Sequence, residues 1–390
     1  VTPRIGLVTY STRPRGGVVH TLSLAEALCR LGADVTVVAL GERFFRPVAA
    51  PCVLVPAPPR ATDLEARVFD AVDALAAGLA PLAGRFDVLH AQDCIAARAA
   101  VQARAGAGGP AVVRTVHHMD DFTTPALVDC QLRSIREPDR VLVVSRWWQE
   151  RLRDEYGVAA EVVYNGVDVE RFGRAVDPAR RAALRAAVGA GPGDGDRFVF
   201  LAVGGIEPRK GTVHLFAALG RLKRSWPGGP AGPPPVLAVV GGHSFQDYAA
   251  YREQALGSLG GLGLAVGDDV VLLGTVDDDD LLAWYGSADA LAFPSVKEGW
   301  GLAVLEAMAA GLPVVATDIP VFREYLVDGE SALLVPPADP AALSVAMASL
   351  VHDAVLRDRL RTAGRAVASR YSWTASARRH LEVYRSVFVA

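Results

Sequence analysis

The sequence predicts an α/β protein made of two Rossmann-like domains, and three observations carry that expectation. From Ile5 onward, apolar runs of strand length alternate with stretches of helical periodicity. The chain has 390 residues, enough for two domains of ordinary size, each with its own core. The alternation breaks at a Gly/Pro/Asp stretch, 191–196, and starts afresh at Phe198, which argues for a second domain and not an extension of the first.

In the first half, Ile5–Thr9 reads as a strand and Tyr10–Gly17 as a polar, glycine-ended loop. Val18–Leu31 has helical periodicity and Gly32 stands where a C-terminal cap belongs. Gly16 and Gly17 would let a backbone approach a ligand closely, yet the loop lacks GxGxxG, so dinucleotide binding is a poor reading. Val35–Leu40 and Cys52–Val55 follow as strands, and prolines mark the loop before a helix over Thr62–Leu82. Val88–Ala91 is a buried strand. Ligands of open α/β sheets gather at the carboxyl ends of strands, which makes His90 and Asp93 candidates. Ala111–Val116 is a strand that ends in His117-His118-Met-Asp-Asp121. A histidine at the mouth of a parallel sheet can hydrogen-bond a sugar. His118 points elsewhere in an extended chain. Asp120 and Asp121 lack further ligands at recognisable spacing, so no metal is expected there. Val141–Val144, a helix over Arg146–Tyr156 with Trp147 and Trp148 half-buried, and Glu161–Tyr164 complete this half, and Tyr164-Asn-Gly-Val-Asp168 is the exit turn. The domains are placed at 1–170 and 171–371.

After a helical run over Pro178–Val188, the second half opens with a strand over Phe198–Val203 that runs into Gly204-Gly-Ile-Glu-Pro-Arg-Lys-Gly-Thr212. Arg209 and Lys210 at a turn into a helix suit a diphosphate, the one as a fork and the other as a point charge. A Pro/Gly connector, 226–235, precedes strands over Val236–Val240 and Val270–Leu273, and the run Asp277–Asp280 caps the next helix. Ala290–Phe293 is the strand before Ser295–Gly311, where the chemistry is expected. A strand, a turn bearing Gly299 and Gly301, and a helix from Leu302 leave backbone N–H groups unpaired, which is a ready anion site. Glu298 and Glu306, eight positions apart, lie about two helical turns from each other. Each carboxylate can accept hydrogen bonds from vicinal hydroxyls, so the pair suits sugars on either side of a phosphate. Pro313–Ala316 and Ala332–Val335 are the last strands, and helices follow over Pro340–Val351, Ala354–Arg370 and Thr374–Phe388.

Composition narrows the function classes. The chain is 51% hydrophobic with a net charge of −3, which fits a globular α/β protein and gives no reason to expect nucleic acid as a partner. No apolar run reaches the ~18–20 residues of a transmembrane helix, and no basic start leads into an apolar core and cleavage site. Cys29, Cys52, Cys94 and Cys130 are scattered without CxxC spacing, and are expected to be reduced core thiols of a cytoplasmic protein.

The Glu298-to-Glu306 stretch resembles the Glu-x7-Glu signature of retaining glycosyltransferases of the family 4 type. The likeness extends over nearly the whole chain. The Gly16-Gly17 turn looks like that family's acceptor-side loop, Asp87–Asp93 resembles its Asp-Val-x-His-x-x-Asp stretch, and Tyr164–Asp168 its Pro-Asn-Gly-Val-Asp turn. Family members often carry Gly-Arg-x-x-x-x-Lys-Gly where this chain has Gly205 at the Arg position, which leaves Arg209 as the candidate replacement for the second cation. The resemblance implies the GT-B architecture, with acceptor on the first domain, nucleotide sugar on the second, and a terminal helix, 372–390, returning to the first after Tyr371-Ser-Trp373. It implies donor contacts at Gly16, Gly17, Gly205, Arg209, Lys210, Val276, Glu298, Gly299, Trp300, Gly301, Leu302 and Glu306. Acceptor-side contacts fall at Gly16, Gly17, His90, Asp93 and His118, and catalysis on His117, Arg209, Lys210 and Glu298. The implied reaction is retaining transfer from a UDP- or GDP-sugar to a hydroxyl acceptor, with no cofactor and no metal. A nucleotide-sugar epimerase of the same architecture and a non-catalytic nucleotide-sugar-binding protein stay open. So do peripheral membrane contact and the choice between monomer and homodimer.

Overall fold

The computed structural model describes residues 3–104, 108–191, 197–226, 232–242 and 248–388. Residues 192–196 of the stretch between the halves and 227–231 of the Pro/Gly connector lie outside them. The chain divides into two compact units, one of Val1–Gly166 with Tyr371–Ala390 and one of Val167–Arg370.

The first unit holds β1 (Arg4–Thr9), β2 (Asp34–Leu40), β3 (Cys52–Val55), β4 (Val88–Ala91), β5 (Ala111–Val116), β6 (Arg140–Val143) and β7 (Glu161–Val162). They form one parallel sheet in the order β3-β2-β1-β4-β5-β6-β7. Both faces are covered by helices, so these strands are runs of Val, Leu and Ile without polar alternation. The helices are α1 (Gly16–Arg30), α2 (Leu64–Leu79), α3 (Cys94–Ala103), α4 (Pro125–Arg136) and α5 (Arg146–Tyr156). Strand order reverses between β1 and β4, so the connections that leave these two strands part to opposite faces and open the sheet at their carboxyl ends.

The second unit begins with α6 (Val169–Phe172) and α7 (Pro178–Ala186). Its strands are β8 (Val199–Val203), β9 (Val236–Val240), β10 (Val270–Gly274), β11 (Ala290–Phe293), β12 (Val314–Thr317) and β13 (Leu333–Val335), all parallel in the order β10-β9-β8-β11-β12-β13. Here the reversal falls between β8 and β11. The helices are α8 (Thr212–Arg224), α9 (Ala249–Gly257), α10 (Asp278–Ser287), α11 (Leu302–Ala310), α12 (Pro320–Arg323), α13 (Pro340–His352) and α14 (Ala354–Ala368). Phe200, Phe216, Leu237, Val270, Leu343 and Met347 centre its core. The last helix, α15 (Trp373–Phe388), belongs to the first unit and packs on α1.

Several local expectations need correcting. The helix expected over Thr62–Leu82 ends at Leu79 and tightens into a 3-10 turn over Ala80–Arg85. Pro81 has no N–H to continue the α ladder. α3 was not legible because it is buried over Ile95–Ala100 and so lacks a polar stripe. Trp148 is fully buried, not half-buried, under the start of α5. The thiols are not all in the core either: Cys52 is exposed, whereas Cys94 and Cys130 approach to 3.7 Å between sulfurs.

Candidate functional site

In the second unit the chemistry-bearing residues collect where the strand order reverses. Beyond β8 the chain passes Gly204 and Gly205, makes a 3-10 turn over Pro208–Lys210 and enters α8 through Gly211. Gly211 has φ +64° and a Cβ there would overlap the Pro294 carbonyl oxygen, so only glycine brings this turn against the end of β11. The Arg209 carbonyl accepts from the Val296 N–H at 2.9 Å and ties the two loops together. Lys210 lies along Gly204, puts its Nζ 4.8 Å from the Phe293 ring centroid and donates to Glu298 Oε1 at 2.6 Å. Arg209 extends Nη1 to 3.6 Å from the same oxygen and Nε to 3.1 Å from Glu207 Oε2.

Burial pushes the Glu298 carboxyl up, but Lys210 and Arg209 together outweigh it and hold the group below the usual carboxylate range. Burial likewise lowers the Lys210 ammonium, with Glu298 opposing. The result is a charged pair removed from water, in a medium where such a pair interacts more strongly than at a surface.

The loop after β11 leads to Gly301, at φ +88°, and α11 starts there without a side-chain cap. A Cβ at Gly301 would overlap the Phe322 ring, so the turn presents bare main chain. Gly299 is buried and Leu302 half-buried beside it. Trp300, expected among the donor contacts, has its side chain buried: it is 2% exposed, its ring lies 4.8 Å from that of Tyr325, and its carbonyl accepts from the Tyr325 hydroxyl at 2.8 Å. Its bulk fills the unit's interior because the turn directs it inward.

Glu306 keeps a separate set of partners. The Tyr285 hydroxyl donates to its Oε2 at 2.8 Å. Burial pushes its carboxyl up to about 7, with Tyr285 and Arg171 pulling down and Asp278 adding to the rise. Arg171 is itself paired with Asp278. Gly205 and Val276 lie on the loops beyond β8 and β10. A Cβ at Gly205 would come within 2.8 Å of the Gly242 carbonyl, so this backbone has no room for an arginine at that position.

In the first unit the corresponding loops leave β1, β4 and β5. Gly16 opens α1, and a Cβ on Gly17 would meet the His117 ring at 3.6 Å and the Gln92 carbonyl at 3.8 Å. His117 is half-buried, with its Nε2 3.2 Å from Gln92 Oε1 and the His20 ring edge-on at 4.7 Å. Burial, reinforced by Arg114 and the neighbouring histidines, holds its imidazole well below the ordinary value, and it is neutral near pH 7.

One acceptor-side expectation is corrected here. His90 is fully buried, its Nδ1 2.7 Å from the Tyr384 hydroxyl and its Nε2 2.7 Å from Thr115 Oγ1. It joins β4 to β5 and α15 and has no nitrogen left for a ligand. Asp93 caps α3, accepting from the Ala96 N–H at 2.7 Å, the Tyr10 N–H at 2.9 Å and Thr9 Oγ1 at 3.2 Å. His118 lies outside this group, its Nε2 3.6 Å from Asp120 Oδ1.

Sequence reasoning passed over Gln92, His20 and Asn165. Asn165 belongs to the exit turn, and it is 3% exposed with its Oδ1 2.8 Å from His20 Nδ1. The one signal for His20 was its place on the buried stripe of α1, where a histidine needs a partner.

The model of glycosyltransferase family 4 matches residues 14–171 and that of glycosyl transferases group 1 matches 190–367. A phosphatidyl-myo-inositol mannosyltransferase of Mycobacterium leprae is 31% identical across 98% of this chain and 97% of its own. Among solved structures, a sucrose-phosphate synthase of Thermosynechococcus elongatus superimposes with a TM-score of 0.79 at 22% identity, covering 99% of both chains. Anabaena Alr3699/HepE in complex with UDP-glucose does so at 0.77 and 20%, covering 98% of this chain and 100% of that one.

Proposed function

The chain belongs to the group 1 glycosyltransferases of the family 4 type, with the two-domain GT-B fold and glycosyl transfer from a nucleotide sugar, and from that premise we propose a retaining mechanism with the parts distributed as follows. Lys210 and Arg209 receive the diphosphate, Glu298 holds hydroxyls of the transferred sugar, Glu306 holds the ribose, and His117 bonds the sugar ring. The observation that carries this reading is the Lys210–Glu298 pair at 2.6 Å, buried where the strand order of the second unit reverses, the place where open α/β sheets bind ligands.

The two cations are paired with Glu298 and Glu207. An arriving diphosphate competes for them with more charge and more acceptor oxygens, and leaves Glu298 able to accept from sugar hydroxyls. As the glycosidic bond breaks, negative charge grows on the leaving diphosphate beside Lys210, Arg209 and the amides at the start of α11, the arrangement that stabilises a transition state more than its ground state. No carboxylate is assigned as a nucleophile. Attack from the face the leaving group departs, with a phosphate oxygen taking the acceptor proton, gives retention. The likeness to a protein solved with UDP-glucose supports a UDP-sugar ahead of a GDP-sugar. An acceptor carrying an inositol ring is the first to test, given the mannosyltransferase relative.

The test is a product assay with UDP- and GDP-sugars against inositol, inositol phosphate and phosphatidylinositol, with the anomeric configuration read by NMR. Retained configuration is expected. An inverted product removes the mechanism, and sugar isomerised without any acceptor would mark an epimerase.

A further inference from the structure

We propose that Gln92 is a positioning residue that fixes both the ring orientation and the tautomer of His117, so that His117 meets its ligand with Nδ1 as a hydrogen-bond acceptor. Gln92 stands just past β4, 1% exposed, and its own N–H donates to the Val8 carbonyl at 3.0 Å, which pins its backbone to β1. Its side-chain amide lies between two imidazoles. Oε1 is 3.2 Å from His117 Nε2, and Nε2 is 3.2 Å from each ring nitrogen of His90.

The direction of the amide follows from what His90 already does. Both nitrogens of His90 are engaged by the Tyr384 and Thr115 hydroxyls at 2.7 Å. A group equidistant from both meets the electron density of the ring, which attracts N–H and repels a carbonyl oxygen. The oxygen of Gln92 is therefore the end that faces His117. An amide oxygen only accepts, so the His117 nitrogen opposite it carries the hydrogen, and a neutral imidazole has one N–H and one acceptor. The acceptor is Nδ1, and among the described residues no hydrogen bond is made to it. Gly17 lies beside the Cδ2–Nε2 edge of the ring, and the His20 ring stands edge-on to it at 4.7 Å.

The consequence concerns specificity. A ligand bonded by Nδ1 must donate, as a sugar hydroxyl does, so a donor sugar whose group there is deoxy or fluoro is disfavoured. That consequence rests on the role given to His117 above. The tautomer assignment does not.

Long-range nitrogen–proton NMR on the full chain labelled in histidine, with His117 identified by its loss in His117→Gln, reads the tautomer directly. The expected wild-type spectrum is the Nε2–H form. Gln92→Leu should release it into a mixture. Gln92→Glu should keep Nε2–H and let His117 hold a proton to higher pH, against the opposing His20 of α1, His90 of β4, Arg114 of β5, His118 after it, and His380 of α15. In turnover, Gln92→Leu should lower kcat by about 10- to 100-fold with little change in donor KM. Gln92→Glu keeps an oxygen toward His117 but sets its second oxygen against the His90 ring, so it should recover only part of that rate while shifting the acid limb of the pH profile upward. An Nδ1–H wild-type spectrum, or an unchanged one in Gln92→Leu, overturns the proposal. If Gln92→Leu does not fold, the wild-type and Gln92→Glu spectra decide. An Nε2–H spectrum alongside wild-type turnover in His117→Gln upholds the positioning role and removes the sugar contact instead.

Discussion

Lys210 has two jobs that one substitution can separate. Its stem packs over Gly204 and the Phe293 ring while its ammonium pairs with Glu298. Lys210→Met keeps most of the stem and removes the charge, so a fall in kcat of about 100- to 1,000-fold is the expected cost of losing one charge-stabilising donor. Wild-type turnover in a folded Lys210→Met enzyme would remove the phosphate assignment. Glu306 gives a pH signature instead. Burial pushes its carboxyl up to about 7, and the ionised form, with acceptors on both oxygens, binds a pair of ribose hydroxyls better than the acid does. Donor KM should therefore rise as pH falls through 7, because bound ribose must first displace a proton. In Glu306→Gln the same plot should be flat, with weaker binding at high pH. For stability the sign is opposite: the folded pKa lies above the ordinary value, so this group's ionisation costs stability as pH climbs from about 4.5 through 7.

Turns decide more than helices at the scale of elements. Gly211→Ala places a side chain at φ +64°, which costs about 1–2 kcal/mol, and drives it into Pro294. The turn over Pro208–Lys210 must then shift, and Lys210 with it. The expectation is a clear fall in Tm with a still larger loss of turnover at temperatures where the variant is folded, read by calorimetry beside steady-state kinetics; a fall in Tm with unchanged turnover would show the turn to be mere packing. Gly211 and Gly301 stood in plain sight in the sequence, and so did Lys210, Glu298 and Glu306 at their spacing. The helices bounded by Asp277, Gly301 and Gly311 were equally legible, since caps and glycines act locally. The misreading of His90 has a physical cause. It sits at the ligand edge by position, yet its two nitrogens are taken up by groups 25 and 294 residues away, and no local pattern reports that.

At the scale of the whole molecule, the first unit is assembled from both ends of the chain. A Cβ on Gly166 would overlap the backbone of Trp373, so the point where the chain leaves this unit is pressed against the point where it returns. Four buried or half-buried histidines, His20, His90, His117 and His380, gather between α1, β4, β5 and α15 with neighbouring ring centroids 4.7–5.8 Å apart. Burial lowers all four, His380 to about 4 and the others well below the ordinary value. Between the unfolded value near 6.5 and these lower ones the unfolded chain binds protons that the folded chain refuses, so stability falls as pH drops below about 6.5. Hydrogen-exchange protection in β4, α1 and α15 should weaken over that range, and His380→Gln should soften the dependence. A pH-independent protection pattern would sink the prediction.

What the sequence determined by itself was whatever is written in neighbouring residues: the parallel α/β pattern, the glycine turns, the helix caps, and the placement of two carboxylates and a lysine beside strand ends. Tertiary structure alone decided which of these groups remain available. Whether a polar side chain meets a ligand or a distant partner depends on which strands become neighbours, and the reversals between β1 and β4 and between β8 and β11 bring together residues the chain keeps far apart. A buried hydrogen bond left unmade costs about 1–3 kcal/mol, and the partners that Gln92, His20 Nδ1 and Asn165 find come from elements the chain keeps apart, so these residues acquire their roles only there.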